Sequence, residues 1–277
     1  MYLPRLQQFV FLDVSVFDTP DTLVALRTPD FSVARSLELP GRYSNWCLAD
    51  CDGRLRVVVS DDGMRVLDVE DAEAKQVGDV IRGAAQFGLA LGCNWLVTGE
   101  TAEADVEVHE PARCEIWKAS TGEQLHAAVE NSPVQNIWLD ATRGQLLVLR
   151  QSSLALFQLS ADASVWTELS RRALSRDNLS AEYDPDYALH PNGSVFALER
   201  DEKRADGKRW LSVWRAGSSL SGEPATAQLV DGNFAQICVR GRSVVLVDGY
   251  GNVALIDEGN TRCPTFTPDP PSWLPGP

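Results

Sequence analysis

The stretch Pro133 to Leu169, PVQNIWLDATRGQLLVLRQSSLALFQLSADASVWTEL, constrains the fold more than any other part of the chain. It holds four short apolar runs: Val134 to Leu139, Leu146 to Leu149, Leu154 to Leu159 and Val165 to Leu169. Between them stand turn residues, Thr142-Arg143-Gly144 first and Gln151-Ser152-Ser153 next. The apolar spacing is two, as on a strand, and not 3.6, as on a helix. Short strands with turn chemistry about every 8 to 12 residues indicate an all-β fold, and a recurring unit of about 40 residues indicates a β-propeller.

The unit recurs. A second repeat runs from Ser44 to Val80, with Asp-Gly turns at Asp52-Gly53 and Asp62-Gly63 that suit tight hairpins. A third runs from Ala84 to Val129, a fifth from Asp186 to Leu229 and a sixth from Phe234 to Thr267. The first 40 residues offer strands at Phe9 to Phe17, Leu23 to Arg27 and Phe31 to Leu39, an irregular repeat. The expected architecture is one propeller domain over residues 1–268, followed by the Pro-rich tail 269–277. About 45 residues per repeat favours six four-stranded blades, with seven as the alternative. Strands from both termini are expected to close the ring, leaving no open sheet edge.

Aligned third strands carry the repetition most specifically: MRVLDVE, CEIWKAS, LALFQLS, LSVWRAG and VALIDEG. Each places a large apolar residue, Leu67, Trp117, Phe157, Trp214 or Ile256, before Asp, Lys, Gln or Arg. The pattern resembles the third strand of WD40-type blades, where Trp-Asp fills those two places. Trp117-Lys118 and Trp214-Arg215 are the nearest matches, and the Gly-His dipeptide of that family is absent. The resemblance therefore implies the architecture but not the family's hydrogen-bonded tetrad.

Net charge is −14 with a pI near 4.6, which disfavours DNA, RNA or an anionic membrane as the main partner and suits a basic protein. The N-terminal apolar patch is interrupted by Asp13 and Asp18, and no small-residue cleavage site follows a basic start, so a signal peptide is not expected. No apolar run reaches the length of a membrane span. The six cysteines are Cys47, Cys51, Cys93, Cys114, Cys238 and Cys263, scattered as for reduced thiols in a cytoplasmic protein. His109, His126 and His190 share no metal-ligand spacing, and His190-Pro191-Asn192-Gly193 reads as a hairpin turn. No phosphate loop, nucleophile elbow or convergent catalytic set is present, so the chain is expected to be non-enzymatic, with no cofactor and no metal.

Function is sought in the insertions, because blade strands are committed to the core and loops are free to vary. Gly99 to Arg113 and Arg200 to Arg209 lie between second and third strands, and Ser170 to Pro185 lies between repeats. In propeller geometry all three open on one face. The first carries Glu100, Glu103, Asp105, Glu107 and Glu110, with Asp61 and Asp62 in the neighbouring repeat. The others bring Arg171, Arg172, Asp184, Lys203 and Arg204. These residues form the expected partner-binding surface. The expected role is a bacterial immunity or inhibitor protein that binds and occludes a basic, nuclease-type antibacterial toxin. A general scaffold in a bacterial complex and a propeller hydrolase or lyase with a central-channel metal are the alternatives.

Overall fold

The computed structural model describes residues 2–3, 8–13, 20–27, 32–41, 45–51, 54–60, 63–71, 73–82, 87–100, 112–130, 132–150, 152–174, 186–200, 209–230, 234–240, 243–248, 253–257 and 265–266. Among them every regular element is a strand, and the strands form six four-stranded sheets.

The first sheet is β1 (Tyr2–Leu3), β2 (Gln8–Asp13), β3 (Thr22–Arg27) and β4 (Val33–Glu38). The second is β5 (Asn45–Cys51), β6 (Arg54–Ser60), β7 (Met64–Asp68) and β8 (Lys75–Ile81). The third is β9 (Phe87–Leu91), β10 (Trp95–Gly99), β11 (Ala112–Lys118) and β12 (Gln124–Glu130). The fourth is β13 (Val134–Asp140), β14 (Gln145–Arg150), β15 (Ser153–Leu159) and β16 (Trp166–Ala173). The fifth is β17 (Asp186–Leu189), β18 (Val195–Arg200), β19 (Arg209–Trp214) and β20 (Thr226–Val230). The sixth is β21 (Phe234–Arg240), β22 (Ser243–Asp248), β23 (Val253–Asp257) and β24 (Thr265–Phe266).

Each sheet is built from strands consecutive in sequence, one sheet per repeat. Among the described residues no sheet mixes strands from the two termini, unlike the expected ring closure: Tyr2 and Leu3 pair with Phe9 and Gln8, and β24 pairs with β23. Pairing with the next strand along closes a short loop, whereas pairing across the whole chain closes a very long one at greater entropic cost.

Two compact units are distinguished: Met1–Arg150 with Gln158–Thr167, and Gln151–Phe157 with Glu168–Pro277. In the first, one core joins Val10, Leu23 and Leu37 to Leu55, Val57, Val59 and Leu67, so the first two sheets pack face to face. A second core joins Val58, Met64 and Ile81 to Leu96 and Trp117. In the second unit, Ala188, Phe196 and Leu211 pack on Ile237, Leu246 and Ile256. The five aligned third-strand residues are all buried, from 1% exposed at Ile256 to 8% at Trp117.

The His190 to Ser194 hairpin forms as expected. His190 N–H donates to Ser194 O (2.9 Å), Gly193 N–H donates to His190 O (2.8 Å), and Gly193 takes φ 90°. Another boundary differs from expectation. β16 runs on to Ala173, so Arg171 and Arg172 stand on a strand and not in the following insertion.

Candidate partner-binding surface

The acidic third-repeat insertion leaves the fold at Glu100 and returns at Arg113. That neck continues the β10–β11 ladder beyond the Gly99–Cys114 pair: Glu100 N–H donates to Arg113 O (2.8 Å), and Arg113 N–H returns a bond to Glu100 Oε2 (3.0 Å). Glu100 O also accepts from Val134 N–H (2.9 Å), which fastens the neck to the next sheet.

A polar chain runs inward from it. Arg113 Nη1 lies 3.4 Å from Glu115 Oε1, and Gln124 Nε2 donates to the same oxygen (3.0 Å). Thr98 Oγ1 donates to Glu115 Oε2 (3.4 Å) and accepts from Trp117 Nε1 (3.3 Å). Glu115 is 1% exposed, and a carboxylate so placed is tolerated because donors surround it. The guanidinium that pairs with it reaches out to the insertion neck, so the neck is tied to the core by hydrogen bonds and charge together.

A second polar cluster lies in the other unit. Arg172 Nη1 donates to Glu199 Oε1 (2.7 Å), and its guanidinium carbon sits 5.0 Å from the centre of the Trp214 ring. Tyr187 Oη donates to the same Glu199 oxygen (3.1 Å). Burial drives the Tyr187 phenol well above its usual range, with the Glu199 charge adding to the effect. Asp186, beside it, accepts from Ile237 N–H (2.6 Å) and Tyr187 N–H (3.0 Å), and desolvation raises its carboxyl above the ordinary range. Arg171 donates twice to Glu168 Oε2 (3.0 and 2.7 Å) and once to Ser153 Oγ (3.2 Å).

Three of the expected surface residues are thus placed, and each is engaged within the fold: Glu100 in the neck, Arg171 on Glu168, Arg172 on Glu199. Asp61, Asp62, Glu103, Asp105, Glu107, Glu110, Asp184, Lys203 and Arg204 lie outside the described residues, as does the greater part of each insertion. Thr98, Glu115, Tyr187 and Glu199 are not singled out by the sequence reading. A signal exists for Glu115: two positions before Trp117 on one strand, it shares the tryptophan's face.

Cys47, Cys51, Cys93 and Cys114 are free thiols, and desolvation pushes Cys47 up to about 12. Cys238 has no described side chain, and Cys263 lies outside the described residues. His126 Nδ1 bonds Ser164 O (3.0 Å) with its ring 4.9 Å from that of Trp166, while His190 Nδ1 accepts from Asn192 N–H (3.2 Å). His109 lies outside the described residues. Among the described residues no group of three or more His, Cys, Asp or Glu is arranged to hold a metal ion. Among them, too, no helix is long and apolar enough to cross a membrane.

The sequence matches no protein-family model and no curated protein. Solved structures do match it. The β-propeller domain of Myceliophteria thermophila Cps50 (Swd1) superposes with a TM-score of 0.63 at 10% identity, over 92% of this chain and 81% of that one. The WD40 domain of Toxoplasma gondii coronin gives 0.62 at 11% identity, over 93% and 73%. The fold is a WD40-like β-propeller. Kuenenia stuttgartiensis hydrazine synthase, at 0.60 and 11% identity over 92% and 82%, matches as well, so the propeller alone does not assign a chemistry. In this propeller the two third-strand tryptophans bond differently: Trp117 to the Thr98 hydroxyl of its own blade, Trp214 to Gly222 O (3.0 Å).

Proposed function

We propose that this propeller is a non-enzymatic binding protein that docks a basic protein partner through its acidic insertion, and that the partner is a nuclease-type antibacterial toxin neutralised in the bacterial cytoplasm. The observation that carries the reading is the neck at Glu100 and Arg113. The ladder bonds, the Val134 contact and the buried Glu115 hold in place the base of an insertion that carries Glu103, Asp105, Glu107 and Glu110. Anchoring both ends of a charged segment lowers the entropy lost when it binds, since its approach is already fixed. A net charge of −14 favours encounter with a cationic surface, and nucleases carry one because their substrate is polyanionic. Occlusion is by steric cover of the substrate groove and needs no reaction.

Co-expression tests it. The protein is expected to suppress the lethality of a nuclease toxin encoded beside it and to co-purify with that toxin at low salt. A toxin that stays lethal and elutes alone would remove the toxin reading.

A further inference from the structure

Glu199 receives two donors, and both bond the same oxygen: Arg172 Nη1 at 2.7 Å and Tyr187 Oη at 3.1 Å reach Oε1. Among the described residues no donor reaches Oε2, and the side chain is 20% exposed. Directly across the ladder stands Trp210, the cross-strand partner of Glu199. It is 36% exposed, one of the few large apolar side chains among the described residues so open to solvent. Cross-strand partners share a sheet face with Cβ atoms roughly 5 Å apart, so carboxylate and indole lie side by side.

The same face shows what such a pair holds. Trp210 and Trp214 are four residues apart on β19, hence on one face. At Trp214 a guanidinium fills the space between indole and carboxylate: Arg172 lies 5.0 Å from the ring centre and bonds Glu199 Oε1. At Trp210 the second indole and the second carboxylate oxygen are present without a described cation.

We infer that Trp210 and Glu199 Oε2 form a receiving site for an arginine or lysine side chain of the basic partner. The cation would lie against the exposed indole and donate to the open oxygen, as Arg172 does on the buried side. Tryptophan ranks high among residues that anchor interfaces, and this one stands where β19 begins, at the end of the sheet that carries the fifth-repeat insertion. The inference rests on the basic-partner reading and adds a contact point to it.

An oligo-arginine peptide of about ten residues serves as probe, with binding to the full chain read by fluorescence anisotropy at low salt. Trp210→Ser and Glu199→Gln are each expected to weaken binding about fivefold, with the double variant little worse than either, because both groups hold one side chain. Trp210→Phe, which keeps an aromatic face, is expected to retain most of the affinity. Trp210→Ser alters an exposed position, so the assay does not hinge on Glu199→Gln remaining folded. Wild-type affinity in Trp210→Ser would overturn the site. If the triple reversal Glu103→Lys, Asp105→Lys and Glu107→Lys abolishes binding while Trp210→Ser leaves it unchanged, this site is wrong and the docking reading survives.

Discussion

Gly78→Ala is expected to destabilise the protein by about 3–5 kcal/mol, from a backbone conformation that L-residues rarely adopt and a collision that cannot relax. Gly78 has φ 75° in β8, and an added Cβ would lie 2.1 Å from Ser120 O and 2.6 Å from its carbonyl carbon. Ser120 belongs to the turn between β11 and β12, so the methyl group would strike backbone and drive two sheets of the first unit apart. A thermal midpoint lower by roughly 10 °C measures the effect. Gly217→Ala is the control. It has φ 80° with nothing within 4 Å of the added atom, so only the conformational part, about 1–2 kcal/mol, is expected. Equal losses in the two variants would show that the Ser120 contact is not as described.

Glu115→Ala is expected to cost about 3 kcal/mol, combining loss of a buried ion-pair partner with the space left behind. Thr98 and Gln124 lose their acceptor, and Arg113 loses the inner half of its pairing while keeping Glu100 at the neck. Because Arg113 is 45% exposed at its side chain, water takes up part of its charge, which keeps the cost below that of stranding a fully buried cation. Glu115→Gln retains acceptor geometry and is expected to lose about 1 kcal/mol. Amide exchange at Arg113 should quicken in Glu115→Ala beyond what the global stability change explains, since the neck loses its inner tie.

The propeller is legible in the sequence because hairpin chemistry and strand runs repeat locally. Asp62-Gly63, Thr142-Arg143-Gly144 and Asn192-Gly193 each fall between strands that form. At the termini legibility is uneven: β1 is two residues, too few for any alternation to register, whereas β24 falls inside the sixth repeat expected to run to Thr267. The extent of β16 is hidden because Ser170, Arg171 and Arg172 look like loop residues, yet Ser170 bonds Leu220 N–H and Arg172 packs on Trp214, so tertiary contacts extend the strand. The polar networks escape for another reason. Middle strands are buried on both faces, as in Ser153–Leu159 where six of seven residues are buried, so alternation does not separate core from solvent. Only the fold reveals that Glu115 and Glu199 meet donors from other strands.

Whether the acidic insertion steers a basic partner onto the propeller is tested most directly by association rates at low ionic strength. The partner recovered by co-purification is titrated against the wild type and against the variant carrying Glu103→Lys, Asp105→Lys and Glu107→Lys. The expected association rate is lower in the variant by roughly tenfold or more, with a gap that closes as salt is raised and a dissociation rate changed far less. An association rate equal in the two proteins at low salt would contradict steering by this insertion.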